Sequence, residues 1–148
     1  MTKQRVPEGY HSVQPYLMVK GAEQAIAFYT KAFGAKQRLC MKQPDGRVGH
    51  AEIEIGDSCV MLADENPAIQ AFGPQHYGGS PVSLMIYVED CDATYRQALA
   101  AGAKSEREPA DQPYGDRMAG VVDPFGYRWY LGTQIKVMSK EELEKQYT

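Results

Sequence analysis

His50 and Glu52 stand two residues apart in HAEIEI (His50 to Ile55), a spacing that puts an imidazole and a carboxylate on one face of a strand. Either group suits a general base, given reach to a substrate proton. With His11 approaching Gln14, two imidazoles and a carboxylate would also make a facial triad for a divalent metal. The plainer reading is a local His50–Glu52 pair that lines a cleft or faces water. His76 lies in a Gly-rich stretch and reads as a solvated loop residue. The run QPYGDRM (Gln112 to Met118) offers Tyr114 as a stacking ring and Arg117 as a paired donor for an anionic group. Its alternative reading is an Asp116–Arg117 surface pair that stabilises a loop.

Other chemistry finds no support. There is no GxSxG, no P-loop, no GxGxxG and no Cys-His pairing at suggestive spacing. Cys40, Cys59 and Cys91 form no CxxC pair and read as small packing residues. A net charge of −3 with no basic run argues against nucleic acid as a partner. No apolar stretch approaches the roughly 20 residues that cross a bilayer, so no membrane association is expected. The opening MTKQRVPEGYHS lacks an apolar core behind its basic residues, and a cytoplasmic location follows as the expectation.

The elements that must position these residues come as a repeat. Leu17 to Lys36 and Ile86 to Lys104 each begin with a β-rich segment ending in valine (Val19, Val88). Each then runs through an alanine-rich amphipathic stretch and closes on Gly-Ala-Lys. Ala22, Ala25, Ile26, Tyr29 and Phe33 share one helical face; Cys91, Tyr95, Ala98 and Leu99 share the other. Asp90 suits an N-cap, and Gly34 and Gly102 suit helix ends. Three β segments follow each helix, with Gly-centred turns around Gly56 and Gly126. The 148-residue chain therefore reads as one integrated α+β domain of two βαβββ modules, 9–64 and 82–133. A Gly/Pro-rich linker spans 65–81, and a tail helix opened by a Ser139/Glu142 capping box lies in 134–148.

Strict alternation assigns the faces of each strand. Val13, Pro15, Leu17 and Val19 go to the helix side, against Ser12, Gln14, Tyr16 and Met18. Leu84, Ile86 and Val88 oppose Ser83, Met85 and Tyr87. Ala51, Ile53 and Ile55 oppose His50, Glu52 and Glu54, and Tyr127, Trp129 and Leu131 oppose Arg128 and Tyr130. The second sets mix polar groups with Tyr and Met, which suits a ligand cleft better than bare solvent.

Paired βαβββ units carrying FYTKAFGA, HAEIEIGD, PYGDR and DPFGYRWYL resemble the vicinal oxygen chelate superfamily. That superfamily includes glyoxalase I, extradiol dioxygenases, fosfomycin-modifying enzymes and bleomycin-resistance proteins, and the likeness is greatest to its small PhnB-like members. The resemblance implies a curved mixed sheet with a central cleft and, in metal-using members, four ligands on the sheet faces. Counted from shared landmarks, those positions fall on Gln14, Ser83, Tyr130 and a residue among Val60 to Leu62. This set lacks the imidazoles and carboxylates that such metals prefer, so no cofactor is expected. The resemblance implies instead a protein that binds a small aromatic or polar molecule. Tyr16, Met85, Tyr87, Tyr114 and Tyr130 would form walls, and Gln14, His50, Glu52 and Arg128 would orient the ligand. The alternative is a metal-dependent lyase, isomerase or dioxygenase using His50 or Glu52. Members of the group commonly pair two chains, so a homodimer is expected, and 65–81 is long enough to permit an exchange of halves.

Overall fold

Ala22 begins the first helix because Asp64 accepts hydrogen bonds from the Gly21 and Ala22 amides (3.2 and 2.7 Å) and from Val48 (2.8 Å). One carboxylate thus satisfies orphan donors at a helix start and ties that start to the sheet. The computed structural model describes residues 5–147, so the first four residues and the last lie outside it. The chain divides into two compact units, Met1–Gly78 and Gly79–Thr148.

In the first unit β1 (Tyr16–Val19) leads to α1 (Ala22–Phe33), then β2 (Lys36–Lys42), β3 (Val48–Ile55) and β4 (Ser58–Asp64). The sheet order is β1-β4-β3-β2, with β1 parallel to β4 and the other pairs antiparallel. Ala22, Ala25, Ile26, Phe28, Tyr29 and Ala32 of α1 are buried, and so are Ala51, Ile53 and Ile55 of β3. Phe33, expected on that face, is only half-buried.

The expected first strand was too long. Its pairing begins at Tyr16, and Val13 is 83% exposed rather than packed under the helix. The cause is local. The His11 amide donates to Gln14 Oε1 at 2.6 Å, closing a turn, and Pro15 has no amide to offer a ladder. The segment expected to be a plain linker also carries structure: a 3₁₀ turn at Pro67–Ile69 and a short helix, α2 (Pro74–Tyr77). His76 is exposed, as expected, but its ring stacks on Phe72 with centroids 3.8 Å apart.

The second unit repeats the plan. β5 (Leu84–Tyr87), α3 (Cys91–Ala101), β6 (Lys104–Asp111), β7 (Asp116–Val122) and β8 (Arg128–Gln134) form a sheet of order β5-β8-β7-β6, with β5 parallel to β8. Asp90 caps α3 by accepting from the Ala93 amide at 3.0 Å. Trp129 and Leu131 are fully buried, and Tyr127 is nearly so, on the helix side of the sheet. Burying each such large side chain contributes roughly 1.5–3 kcal/mol. The DPFG turn is held by Asp123, which accepts from the Phe125 and Tyr127 amides and from Trp129 Nε1 (2.8, 3.0 and 2.8 Å).

The tail crosses this unit before α4 (Lys140–Glu144), which opens with the expected Ser139/Glu142 capping box. Gly115 has φ +93°, and a Cβ there would lie 2.4 Å from the Lys136 carbonyl. Only glycine lets the tail backbone pass so close, with the Ile135 and Lys136 amides both donating to the Gly115 carbonyl. Among the described residues no helix is long and apolar enough to cross a membrane.

Candidate functional site

Strand pairing sets the helix-distal face of the first sheet. Tyr16 pairs with Met61, Met61 with Glu52, and His50 with Met41, so these five side chains share that face. Val60 and Leu62, the neighbours of Met61, are buried toward the helix. Of the three positions the resemblance left open in this strand, Met61 is therefore the one that faces the site.

Four side chains on this face form a hydrogen-bonded chain. Tyr10 Oη donates to Glu52 Oε1 at 2.5 Å, His50 Nε2 lies 2.8 Å from Glu52 Oε2, and Tyr16 Oη lies 2.7 Å from His50 Nδ1. Glu52 is 5% exposed, whereas Tyr16 is 45% exposed. Burial alone would raise the Glu52 pKa, but the bonds from Tyr10 and His50 outweigh it and hold the carboxyl below its ordinary value. An ionised carboxylate only accepts, so His50 Nε2 carries a proton; in the neutral ring Nδ1 then accepts from Tyr16. Burial, and then the charge of Glu52, push the Tyr16 hydroxyl above its usual pKa. The bond to Glu52, with burial second, does the same to Tyr10.

Tyr10 was invisible to strand-by-strand reading. It lies ahead of β1 in an irregular segment, and the Arg38 guanidinium sits 4.7 Å over its ring. A further neighbour is Cys59, whose Sγ lies 3.9 Å from Glu52 Oε1. Burial raises its thiol pKa, which keeps it an inert packing group. Gln14 falls outside the chain of contacts, since its side-chain oxygen is engaged by the His11 amide.

The second sheet builds its helix-distal face around two glycines. Gly132 pairs with Met118 and Tyr87, and Gly120 pairs with Tyr130. A Cβ on Gly132 would meet Met85 Cε at 2.4 Å and Met118 Sδ at 2.9 Å; one on Gly120 would lie 3.7 Å from the Tyr130 ring. Two thioethers and two tyrosine rings thus lie over a floor of bare backbone. Tyr87 Oη donates to the buried Asp116 at 2.9 Å, which raises the tyrosine pKa, with burial adding to the effect. Tyr114 is near enough to Tyr87 to perturb it electrostatically. Ser83 is half-buried just ahead of β5.

Of the two arginines, Arg128 takes the expected face and Arg117 does not. Arg117 turns to the helix side, donating from Nε and Nη2 to Asp92 at 2.6 and 3.0 Å and from Nη1 to Asp111 at 2.8 Å. Its guanidinium is spent on two carboxylates instead of an anionic ligand, and neither of them is Asp116. Arg128 is on the helix-distal face but pairs with Glu106 at 2.5 Å. It is available to a ligand only together with that carboxylate.

At the positions the resemblance assigns to metal ligands, Gln14 and Met61 of the first unit offer an amide and a thioether, and Ser83 and Tyr130 of the second a hydroxyl and a phenol, where divalent first-row metals prefer imidazole and carboxylate. The facial triad fares no better, because both His50 nitrogens and both Glu52 oxygens already have partners. Among the described residues no group of three or more His, Cys, Asp or Glu side chains converges to hold a metal ion. A separate open hollow lies between α1 and β2, lined by Glu23, Ile26, Gln37, Cys40 and Lys42, on the side of the sheet opposite His50.

Two βαβββ units, each with its first strand parallel to its last, are the repeat the sequence led one to expect. The model of the Glyoxalase/Bleomycin resistance protein/Dioxygenase superfamily matches residues 10–131. The chain belongs to that superfamily. It is 38% identical over 136 residues to an uncharacterized protein of Mycobacterium bovis, covering 90% of each chain. It is 48% identical over 111 residues to the anthracycline biosynthesis protein DnrV of Streptomyces peucetius, where 74% of this chain corresponds to 36% of that one. Among solved structures, the PhnB protein of Bacillus cereus is similar with a TM-score of 0.64 at 21% identity, over 83% of this chain and 99% of that one. This likeness supports the glyoxalase-like, PhnB-like character of the fold.

Proposed function

We propose that this superfamily member binds a small aromatic or polar molecule on the helix-distal face of a sheet without the help of a metal. The observation that carries this reading is the mutual saturation of His50 and Glu52 beside exposed tyrosine and methionine side chains. The groups best able to ligate a metal are tied to one another, while Tyr16 and Met41 on the first face, and Met85 and Tyr87 on the second, remain open to a partner. Tyr130 adds a further half-buried ring. Rings of this kind supply large contact area at small entropic cost, and a few polar groups fix the orientation. The similarity to DnrV supports a planar, polycyclic, hydroxylated ligand of the anthracycline kind.

The protein acts in this reading as a homodimer in the cytoplasm. Exposed apolar side chains away from those faces, among them Val82, Ile135 and Val137, support pairing, and three free cysteines suit a reducing compartment. The test is a thermal-shift screen of planar hydroxylated aromatics against purified protein, with elemental analysis of the same sample. Stabilisation by such compounds is expected without added metal. One tightly held metal ion per chain, or stabilisation only after metal is added, would overturn the reading.

A further inference from the structure

Glu52 is a buried, ionised carboxylate that pairs with the His50 imidazole at 2.8 Å, with the Arg38 guanidinium near enough to help lower its pKa. The neighbours of that imidazole and its carboxylate come from several elements. Tyr16 comes from β1, Met41 from β2, and Glu52 from its own strand; Cys59 of β4, Tyr10 and Arg38 are grouped around the carboxylate. The chain of bonds therefore has a closed inner end, where Tyr10 and Cys59 hold Glu52, and an open outer end at the exposed Tyr16 hydroxyl.

We propose that Tyr16, His50 and Glu52 form a proton relay whose outer member, Tyr16, takes the hydroxyl proton of a phenolic or enolic ligand. The inference rests on the ligand-binding reading of this face and adds the chemistry it performs. As the ligand O–H bond breaks, its proton passes to Tyr16 Oη, and the Tyr16 proton passes to His50 Nδ1. The products are a ligand oxyanion and an imidazolium whose Nε2–H stays bonded to the Glu52 carboxylate. Only O–H and N–H bonds change, and no further reactant is required. The buried carboxylate compensates the positive charge created on the ring, as an acid orients and supports histidine in other relays. A tyrosine hydroxyl is protonated at neutral pH, and burial and the Glu52 charge raise the Tyr16 pKa further, so it has a proton to pass inward. Tyr10 is a positioning residue. It fixes the second carboxylate oxygen and so the tautomer of the ring.

The probe is p-nitrophenol, whose phenolate is coloured, titrated with pH in the presence of saturating protein. The bound probe is expected to ionise about one pH unit below the free probe, a tenfold change in ionisation. In Tyr16→Phe and in His50→Gln the ionisation of bound probe is expected to return to that of free probe, a change that loss of packing alone would not produce. Bound probe that ionises like free probe, or a shift that survives both substitutions, would overturn the relay and leave the binding reading standing. If p-nitrophenol forms no saturable complex while other aromatics do, the relay also falls; if no aromatic compound binds, both readings fall. A measurement without ligand runs in parallel. Nitrogen-15 NMR of the neutral His50 ring is expected to show the proton on Nε2, and a proton on Nδ1 would contradict the relay.

Discussion

Tyr10 donates its hydroxyl proton to Glu52 at 2.5 Å across 42 residues of sequence, joining an irregular N-terminal segment to the middle of β3. That bond, with the one from His50, keeps a buried carboxylate ionised on the face of the first sheet that looks away from its helix.

Stability in acid follows from it. Because the Glu52 pKa is lowered on folding, its contribution is fully present above the ordinary value of 4.5 and is lost as the pH falls through the depressed value. Glu52→Gln, which mimics the protonated side chain, is expected to be less stable than wild type at pH 7. The gap should narrow steadily below about pH 4.5. Urea denaturation across pH measures it, and a gap independent of pH would show that the carboxylate is not held ionised.

At the alkaline end the sign reverses. The Tyr10 and Tyr16 hydroxyls have raised pKa values, so they favour the folded state below the ordinary value of 10.0 and lose that contribution as pH rises through the folded value. Stability should decline above about pH 10, and less steeply in Tyr16→Phe. Thermal unfolding between pH 8 and 11 checks this.

Asp123 should be the most sensitive carboxylate in the second unit. Asp123→Ala removes the acceptor for two turn amides and for the fully buried Trp129 indole. Leaving buried donors unpaired costs about 1–3 kcal/mol each, incompletely additive, so a loss on the order of 3 kcal/mol is expected by chemical denaturation.

Arg117→Ala should lower the melting temperature through loss of its bonds to Asp92 and Asp111, yet leave aromatic ligand binding unchanged. A fall in affinity without a fall in stability would return Arg117 to the binding site.

These residues mark where sequence suffices. Period-two alternation placed His50 and Glu52 on one face and sent Trp129 to the other, because strand geometry leaves no choice. The repeat and its turns disclosed both βαβββ units for the same reason. What alternation missed depends on tertiary register. Nothing in the run around Arg117 announces that the start of α3 brings Asp92 beside it. Tyr10 belongs to no strand, so no periodicity points it at Glu52. The false start of β1 came from applying alternation across Pro15, where the ladder cannot form.

Binding of an aromatic molecule to the tyrosines of this face, without a metal, is measurable by calorimetric titration of chelator-treated protein with the best planar hydroxylated aromatic from the screen. Saturable binding is expected that survives chelation and weakens about tenfold, the loss of one good ring contact, in Tyr16→Ala. Binding that disappears on chelation and returns with a divalent metal would contradict it.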